Sequence, residues 1–237
     1  MPDSATPETE LFDAYLTSTE FIDADDPAVR DFAFAAIDGA AGDVEKAVRL
    51  YVAVRDDILY DPYSVDVIAE HYKASHVLKA GRAYCVPKAV LMVAAARAVG
   101  IPARPGYADV RNHLSTKRLL ELTGTDLFTY HGYVELWLDG AWVKCTPAFN
   151  LSLCERFGVL PLEFDGRNDS LFHPHDADGN RHMEYVNDHG TYADIPFAEI
   201  TTALKADYPR LLAYCEQRRK ASFAGEAEAE RPSQSGG

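Results

Sequence analysis

Residues of three types, in three separate segments, could together perform nucleophilic chemistry. Cys85 opens a helix-forming run, His131 lies in a β-strand pattern, and Thr146 lies in the strand pattern that follows. A thiolate beside an imidazole is a common arrangement for acyl transfer, in which the sulfur attacks a carbonyl and the imidazolium protonates the leaving group. A third residue that accepts a hydrogen bond from the imidazole would hold the ring in one tautomer.

The segment around Cys85 predicts a thiol at the start of a buried helix. Val86 precedes a proline and is disfavoured in the α region, whereas Pro87 suits a first helical turn. We therefore expect a helix from about Pro87 to Val99, apolar on nearly all sides and capped by Gly100. The positive end of this helix would favour the thiolate. A buried structural cysteine is the alternative interpretation.

His131 and Thr146 belong to a predicted β-hairpin. Asp139-Gly140 separates two alternating runs, residues 130–138 and 141–147, and this dipeptide is a strong signal for a two-residue turn. Such a turn would place His131 and Thr146 as diagonal neighbours on one face of the sheet. The predicted pairs are Leu138 with Ala141, Trp137 with Trp142, Glu135 with Lys144, and Tyr133 with Thr146.

Helical patterns precede and follow these segments. We expect helices over residues 28–40, 43–57, 65–79, 115–122 and 197–220, and strands over residues 104–110 and 183–186. The ranges predict one α+β domain with extensions. Residues 1–42 would form an N-terminal helical extension, 43–150 the core, 151–220 a C-terminal extension bordering the cleft, and 221–237 a disordered tail.

Composition argues against some partners and locations. The chain has 237 residues and a formal net charge of -14, which opposes nonspecific binding to nucleic acid or anionic lipid. It contains no apolar run long enough to span a bilayer and no secretory leader pattern, so we expect a cytoplasmic protein with no membrane partner. The four cysteines lack CxxC spacing, which favours free thiols.

Residues 43–150 resemble the core of the transglutaminase-like superfamily. The similar segments are Tyr84-Cys85, the run Gly100-Ile-Pro-Ala-Arg104, the run His131-Gly-Tyr-Val-Glu135, and the run Trp142-Val-Lys-Cys-Thr-Pro147. The resemblance implies a papain-like α+β fold in which a buried helix packs on an antiparallel sheet. It also implies that Cys85 is the nucleophile and His131 the general base and acid, without a cofactor. Bacterial members are often described as cysteine proteases, which favours hydrolysis of a peptide-like amide over acyl transfer to an amine.

One position departs from the pattern of this superfamily. Thr146 stands where the family carries the aspartate of its catalytic triad. A threonine hydroxyl can accept a hydrogen bond from the imidazole, but it cannot offset the charge of the imidazolium. Asn150 could instead supply a side-chain carbonyl, and Asp109 and Asp126 are more distant candidates. Thr146 could also simply end its strand before a proline.

Substrate and metal contacts are the least determined features of the sequence. We expect Tyr84, Tyr133, Arg111 and His113 to contact the substrate near the cleft. A turn-rich segment could also hold a metal, although its spacing matches no known metal motif, so we expect none. Its candidate ligands are His173, His175, Asp176, Asp178 and His182.

Two classes of function remain open at this stage. The first is a thiol-dependent hydrolase or acyltransferase that acts on a peptide-like amide or isopeptide through a thioacyl-enzyme at Cys85. The second is a noncatalytic binding or scaffold module that retains the cleft but lacks the carboxylate of the triad. The identity of the substrate and the oligomeric state are not predicted.

Overall fold

The computed structural model describes residues 12–113, 115–172 and 183–229. Within these ranges the helices are α1 (Pro27–Ala36), α2 (Asp43–Asp57), α3 (Ala74–Ala80), α4 (Cys85–Ala98), α5 (Lys117–Thr123), α6 (Leu151–Phe157), α7 (Phe197–Asp207) and α8 (Pro209–Ala229). Short 3-10 turns cover Pro62–Ser64 and Ala69–Tyr72. The strands are β1 (Leu59–Tyr60), β2 (Arg82–Ala83), β3 (Ala103–Asn112), β4 (Leu127–Leu138), β5 (Ala141–Cys145) and β6 (Met183–Thr191).

An antiparallel sheet of order β5-β4-β3-β6 forms one layer of the fold. The β4–β5 hairpin turns at Asp139 and Gly140, whose φ angles of 48° and 88° are the left-handed values that a tight hairpin turn requires. The predicted pairs of Leu138 with Ala141, Trp137 with Trp142 and Glu135 with Lys144 are confirmed. The ladder ends one pair before Thr146, whose N–H instead donates to Ser170 O at 3.1 Å.

Helix α4 is the centre of the hydrophobic core. Every residue from Val86 to Arg97 is buried, because strands β3 and β4 cover one side of the helix and helices α1, α2 and α3 cover the others. The predicted fold class, an α+β fold with a buried helix on an antiparallel sheet, is confirmed. Among the described residues, no helix combines the length and apolarity needed to cross a membrane.

Some predicted helices differ from the structure in extent. The single helix expected over residues 65–79 is a 3-10 turn followed by α3. The last predicted helix is broken at Tyr208, because Pro209 disfavours the α conformation in the residue before it and begins a new helix.

The C-terminal helix also ends later than expected. Helix α8 continues to Ala229, nine residues past the predicted end at Lys220, so the expected disorder of residues 221–229 is wrong. Alanine and glutamate, which are frequent in this stretch, have high helix propensity. Residues 230–237 lie outside the described part of the chain, and the division into domains stays a prediction.

A lysine inside the core connects α4 to α2. Lys88 is fully buried, and its Nζ donates to Arg55 O at 2.9 Å and to Ile58 O at 2.5 Å. These carbonyls belong to the C-terminal end of α2, where backbone acceptors lack partners within the helix. Lys88 therefore joins the two helices by occupying acceptors that would otherwise be unpaired.

We predict that Lys88 makes folding stability depend on pH. Burial lowers the pKa of Lys88 to about 7, whereas an unfolded lysine titrates near 10.4. Between these values the unfolded chain binds more protons, so the lysine contributes a free energy of unfolding that rises with pH by at most about 1.4 kcal/mol per pH unit. Denaturant unfolding from pH 6 to 10 should show this rise in the wild type and not in Lys88→Met.

Lys79 provides the control for this measurement, because it is exposed on α3. The variant Lys79→Met should keep the pH dependence of the wild type. Parallel curves for the wild type and Lys88→Met would contradict the prediction.

Candidate active site

Cys85 lies at the first position of α4. Tyr84 is the residue before the helix, which begins two residues earlier than the sequence predicts. The backbone N–H groups of Cys85, Val86 and Gly132 all interact with the sulfur. The first N–H groups of a helix have no acceptor inside it, so they are free to interact with a group at its end.

Gly132 brings strand β4 against the first turn of α4. A Cβ atom at this position would lie 3.1 Å from Cys85 O, 3.1 Å from Val86 Cα and 3.3 Å from Ala89 Cβ. Only glycine allows this approach without moving the helix. His131 precedes Gly132 in the same strand, and the side chains of His131 and Cys85 line one cavity.

The backbone just before His131 is in an unusual conformation. Tyr130 has a φ of 53°, which is rare for a residue with a bulky side chain. Asp109 accepts from Tyr130 N at 3.1 Å and contacts His189 Nε2 at 2.7 Å, and the His189 ring stacks on Tyr130 at 4.1 Å. These contacts hold the bend that orients the start of the His131 segment.

His131 is only 5% exposed and is surrounded by aromatic rings. Its ring centroid lies 5.6 Å from that of Phe172 and 6.4 Å from that of Tyr185. The Nε2 atom is buried and has no hydrogen-bond partner. A buried nitrogen of this kind is costly unless it serves a function or meets a ligand.

The pKa values contradict the expected thiolate. Burial raises the pKa of the Cys85 thiol to about 11, although the three backbone N–H groups at the sulfur lower it. Burial also lowers the pKa of His131 to about 4, and no acidic side chain among the described residues opposes this effect. The resting pair is therefore a neutral thiol and a neutral imidazole, because loss of water around both groups outweighs the helix terminus.

Thr146 shares the neighbours Phe172 and Tyr185 with His131, and its side chain makes no hydrogen bond to the described residues. The residue is 1% exposed, and its Oγ1 atom is buried without a partner. Burial raises the pKa of Tyr185 to about 12, and the nearby Thr146 hydroxyl and Phe172 backbone partly oppose this rise. Among the described residues, three buried polar atoms around Phe172 have no partner within hydrogen-bond geometry: His131 Nε2, Thr146 Oγ1 and Tyr185 Oη.

The other candidates for the third residue are engaged elsewhere. Asn150 Oδ1 accepts from Tyr60 N at 3.0 Å, and its Nδ2 donates to Ser152 Oγ at 2.8 Å, so this amide joins strand β1 to the first turn of α6. Asp126 pairs with Arg111 at 2.6 Å. Asp109 supports Tyr130, as described above. Thr146 therefore remains the candidate that the structure leaves available to His131.

Tyr185 and Phe172 are residues of this site that the sequence analysis missed. Both lie outside the catalytic pattern, on β6 and on the segment before residue 173. The short strand predicted at residues 183–186 was the one signal for Tyr185, and it gave no indication of which neighbours β6 would have.

The predicted substrate residues do not form one group. Tyr84 lines the cavity, and its hydroxyl donates to Tyr72 Oη at 2.8 Å. Tyr133 lies against Gly106, and its hydroxyl bonds to Asp188 at 3.3 Å. Arg111 pairs with Asp126, and His113 Nε2 lies 3.6 Å from Glu184. Of these four residues, Tyr84 is the one that lines the cavity.

The cavity beside Cys85 and His131 has a volume of about 240 Å³. Aromatic and aliphatic side chains form most of its wall, and the described lining residues include no aspartate, glutamate, lysine or arginine. Within the described ranges, no group of three or more histidine, cysteine or acidic residues could hold a metal ion. The candidate ligands His173, His175, Asp176, Asp178 and His182 lie outside those ranges.

Comparison with known proteins identifies one family. The family model of the transglutaminase-like superfamily matches residues 30–147, a range that contains Cys85, His131 and Thr146. A search of curated proteins finds no match.

Two solved structures are similar to part of the chain. The "Putative Cysteine Protease" from Cytophaga hutchinsonii is 19% identical over 62% of this chain and 44% of its own, with a TM-score of 0.45. The "Putative Protease" from Parabacteroides distasonis is 18% identical over 56% of this chain and 25% of its own, with a TM-score of 0.36. The chain thus spans less than half the length of either structure.

We predict that Gly132→Ala moves strand β4 away from the first turn of α4. The added methyl group would press on the backbone of α4, which cannot rotate away as a side chain can, at a cost of about 1–3 kcal/mol. Alkylation of Cys85 by iodoacetamide at pH 9 should change at least threefold, because the N–H of residue 132 would move relative to the sulfur.

Gly106→Ala is the matched control in the neighbouring strand. Its Cβ would meet the ring of Tyr133, a side chain that can move, and no atom of Cys85. This variant should leave the alkylation rate unchanged even if stability falls. Equal alkylation rates in both variants would show that Gly132 does not position Cys85.

Proposed function

Because residues 30–147 belong to the transglutaminase-like superfamily, we propose that the chain is a thiol hydrolase in which Cys85 and His131 form the catalytic pair. The observation that carries this proposal is the contact at Gly132. It places the strand that carries His131 against the first turn of the buried helix, and His131 and Cys85 line one cavity.

The neutral resting pair suits a general-base mechanism. His131 takes the proton of the Cys85 thiol as the sulfur attacks the carbonyl of an amide, and the imidazolium then gives this proton to the departing amine. The C–N bond breaks and a thioester to Cys85 remains. Water, deprotonated by His131, then releases the carboxylic acid and restores the thiol.

Backbone groups would stabilise the intermediate of this reaction. The N–H groups of Cys85 and Val86 lie at the sulfur, so they would donate to the carbonyl oxygen as it becomes negative during attack. Donors of this kind lower the barrier because they are already oriented before the charge develops. Hydrolysis of a peptide-like amide is the reaction that we favour, and transfer to an amine would follow the same first step.

A noncatalytic binding module is the second candidate. The observation that favours it is that no described residue places a carboxylate beside His131, whose pKa burial lowers to about 4. Without such a partner the imidazolium that forms during attack is less stable. The cavity would then bind a ligand without converting it.

Acylation of Cys85 distinguishes the two functions. The other three cysteines are first replaced by serine, and the full chain is treated with p-nitrophenyl 3-phenylpropanoate, an activated acyl donor. A hydrolase should release nitrophenol repeatedly and show a transient acyl adduct on Cys85 by intact mass. We expect His131→Ala to lower kcat/KM by about 10²–10⁴-fold.

His76→Ala serves as the control for loss of a histidine, because His76 lies on α3 and does not line the cavity. It should keep the activity of the starting protein. Turnover that survives His131→Ala, or the absence of any adduct on Cys85, would exclude the hydrolase and favour the binding module.

We predict that Thr146→Asp raises activity near neutral pH by at least tenfold. A carboxylate beside the ring favours the imidazolium, so the pKa of His131 should rise from about 4. Because the base must be neutral to accept a proton, the acid limb of the kcat/KM profile should move to higher pH by the same amount. The profile is measured from pH 3.5 to 9.

Thr146→Asn separates the effect of charge from that of hydrogen bonding. Asparagine has nearly the shape of aspartate and can hold the tautomer, but it carries no charge. It should leave the acid limb in place. An unmoved limb in both variants would show that residue 146 does not act on His131.

A further inference from the structure

The chemical character of the cavity indicates which substrates would fit it. Its volume of about 240 Å³ exceeds the roughly 150 Å³ of an engineered apolar cavity that binds benzene. A benzene ring with a short chain, or an aliphatic chain of similar volume, would therefore fit beside Cys85. No described side chain on the wall carries a formal charge.

Polar atoms on the wall are mostly occupied by the protein itself. Thr123 Oγ1 donates to Leu119 O at 3.0 Å and to Thr125 O at 2.7 Å. Thr129 Oγ1 donates to Asp207 at 3.0 Å. Ser115 Oγ is buried without a partner and offers one uncharged polar contact. A charged ligand group would thus lose its water shell without gaining a counter-charge, which is strongly unfavourable.

Much of the wall comes from residues after the family match. Leu153 on α6, Met183 on β6, Leu204 on α7 and Leu211 on α8 all line the cavity, and all lie beyond residue 147. The C-terminal part of the chain therefore contributes the shape and polarity of the space next to the nucleophile.

We propose that this cavity binds the acyl group of the substrate and selects one that is uncharged and apolar. The scissile carbonyl lies at Cys85, and the acyl chain extends between the C-terminal helices. This inference rests on the proposed function for the role of Cys85, but binding in the cavity can be measured without any turnover.

The test uses the full chain with Cys85→Ala, which cannot be acylated. Calorimetric titrations compare two neutral amides, hexanamide and 3-phenylpropanamide, with two charged ones, succinamate and 6-aminohexanamide. We expect each neutral amide to bind at least tenfold more tightly than either charged one. Equal or tighter binding of the charged amides would overturn the inference.

A charge placed on the wall should reverse this preference. Leu153 lines the cavity and is half-buried on the short helix α6, so the Leu153→Lys variant should fold. Compared with the protein that retains Leu153, this variant should bind hexanamide at least fivefold more weakly and succinamate more tightly. Leu151→Lys is the matched control, because Leu151 is exposed on the same helix and does not line the cavity. Identical titrations for the two lysine variants would place the ligands elsewhere and overturn the inference.

The source of the acyl group is resolved by one further ligand. A tripeptide amide that ends in phenylalanine is compared with 3-phenylpropanamide in the same protein. Tighter binding of the tripeptide would identify a peptide as the source, and tighter binding of the small amide would identify a small acid amide. Both outcomes support an apolar acyl site.

Failure of this inference and failure of the proposed function give different results. If the neutral amides bind to Cys85→Ala but the wild type never forms an acyl adduct, the hydrolase is excluded and the cavity is an apolar ligand site. If acylation of Cys85 occurs but charged and neutral amides bind equally, the hydrolase stands and the inferred selectivity is wrong.

Discussion

The contact between Gly132 and the first turn of α4 is the constraint on which the site depends. Side chains normally set the distance between a sheet and the helix packed on it. Gly132 has no side chain, so at this position the strand backbone lies closer to the helix. As a result a strand backbone N–H reaches the sulfur of Cys85, and the neighbouring imidazole enters the same cavity. The buried helix holds one side of this contact rigidly, since its residues from Val86 to Arg97 are all buried.

Burial is also what determines the charge states of Cys85 and His131. A helix N-terminus favours a thiolate, but it competes here with the loss of water around Cys85, and burial has the larger effect on the pKa. The same loss of water keeps His131 neutral, because Thr146 supplies no negative charge. A carboxylate at this position would offset the cost of the imidazolium. In this chain the ring instead lies beside Phe172 and Tyr185, and Thr146 lies next to Tyr185.

The C-terminal part of the chain changes what the family core can bind. Helices α7 and α8 and strand β6 close over the cavity and line it with aliphatic and aromatic side chains. Asp207 does not itself line the cavity, and it accepts a hydrogen bond from Thr129 on the wall. The core thus supplies Cys85 and His131 to the cavity, and the later segments determine much of the polarity of its wall.

The sequence by itself determined the local features of this protein. Residue types and short spacings predict the Asp139-Gly140 turn with its register and the apolar helix after Cys85, because turns and helices depend on near neighbours. They also suggest the hypothesis that Cys85 pairs with His131. Tertiary structure alone decided how those features meet. Only in the folded chain does Asn150 accept a hydrogen bond from Tyr60, and only there does Tyr185 lie next to Thr146. The fold also buries His131 and so lowers its pKa. Burial and contacts between distant segments cannot be predicted from a local stretch of sequence.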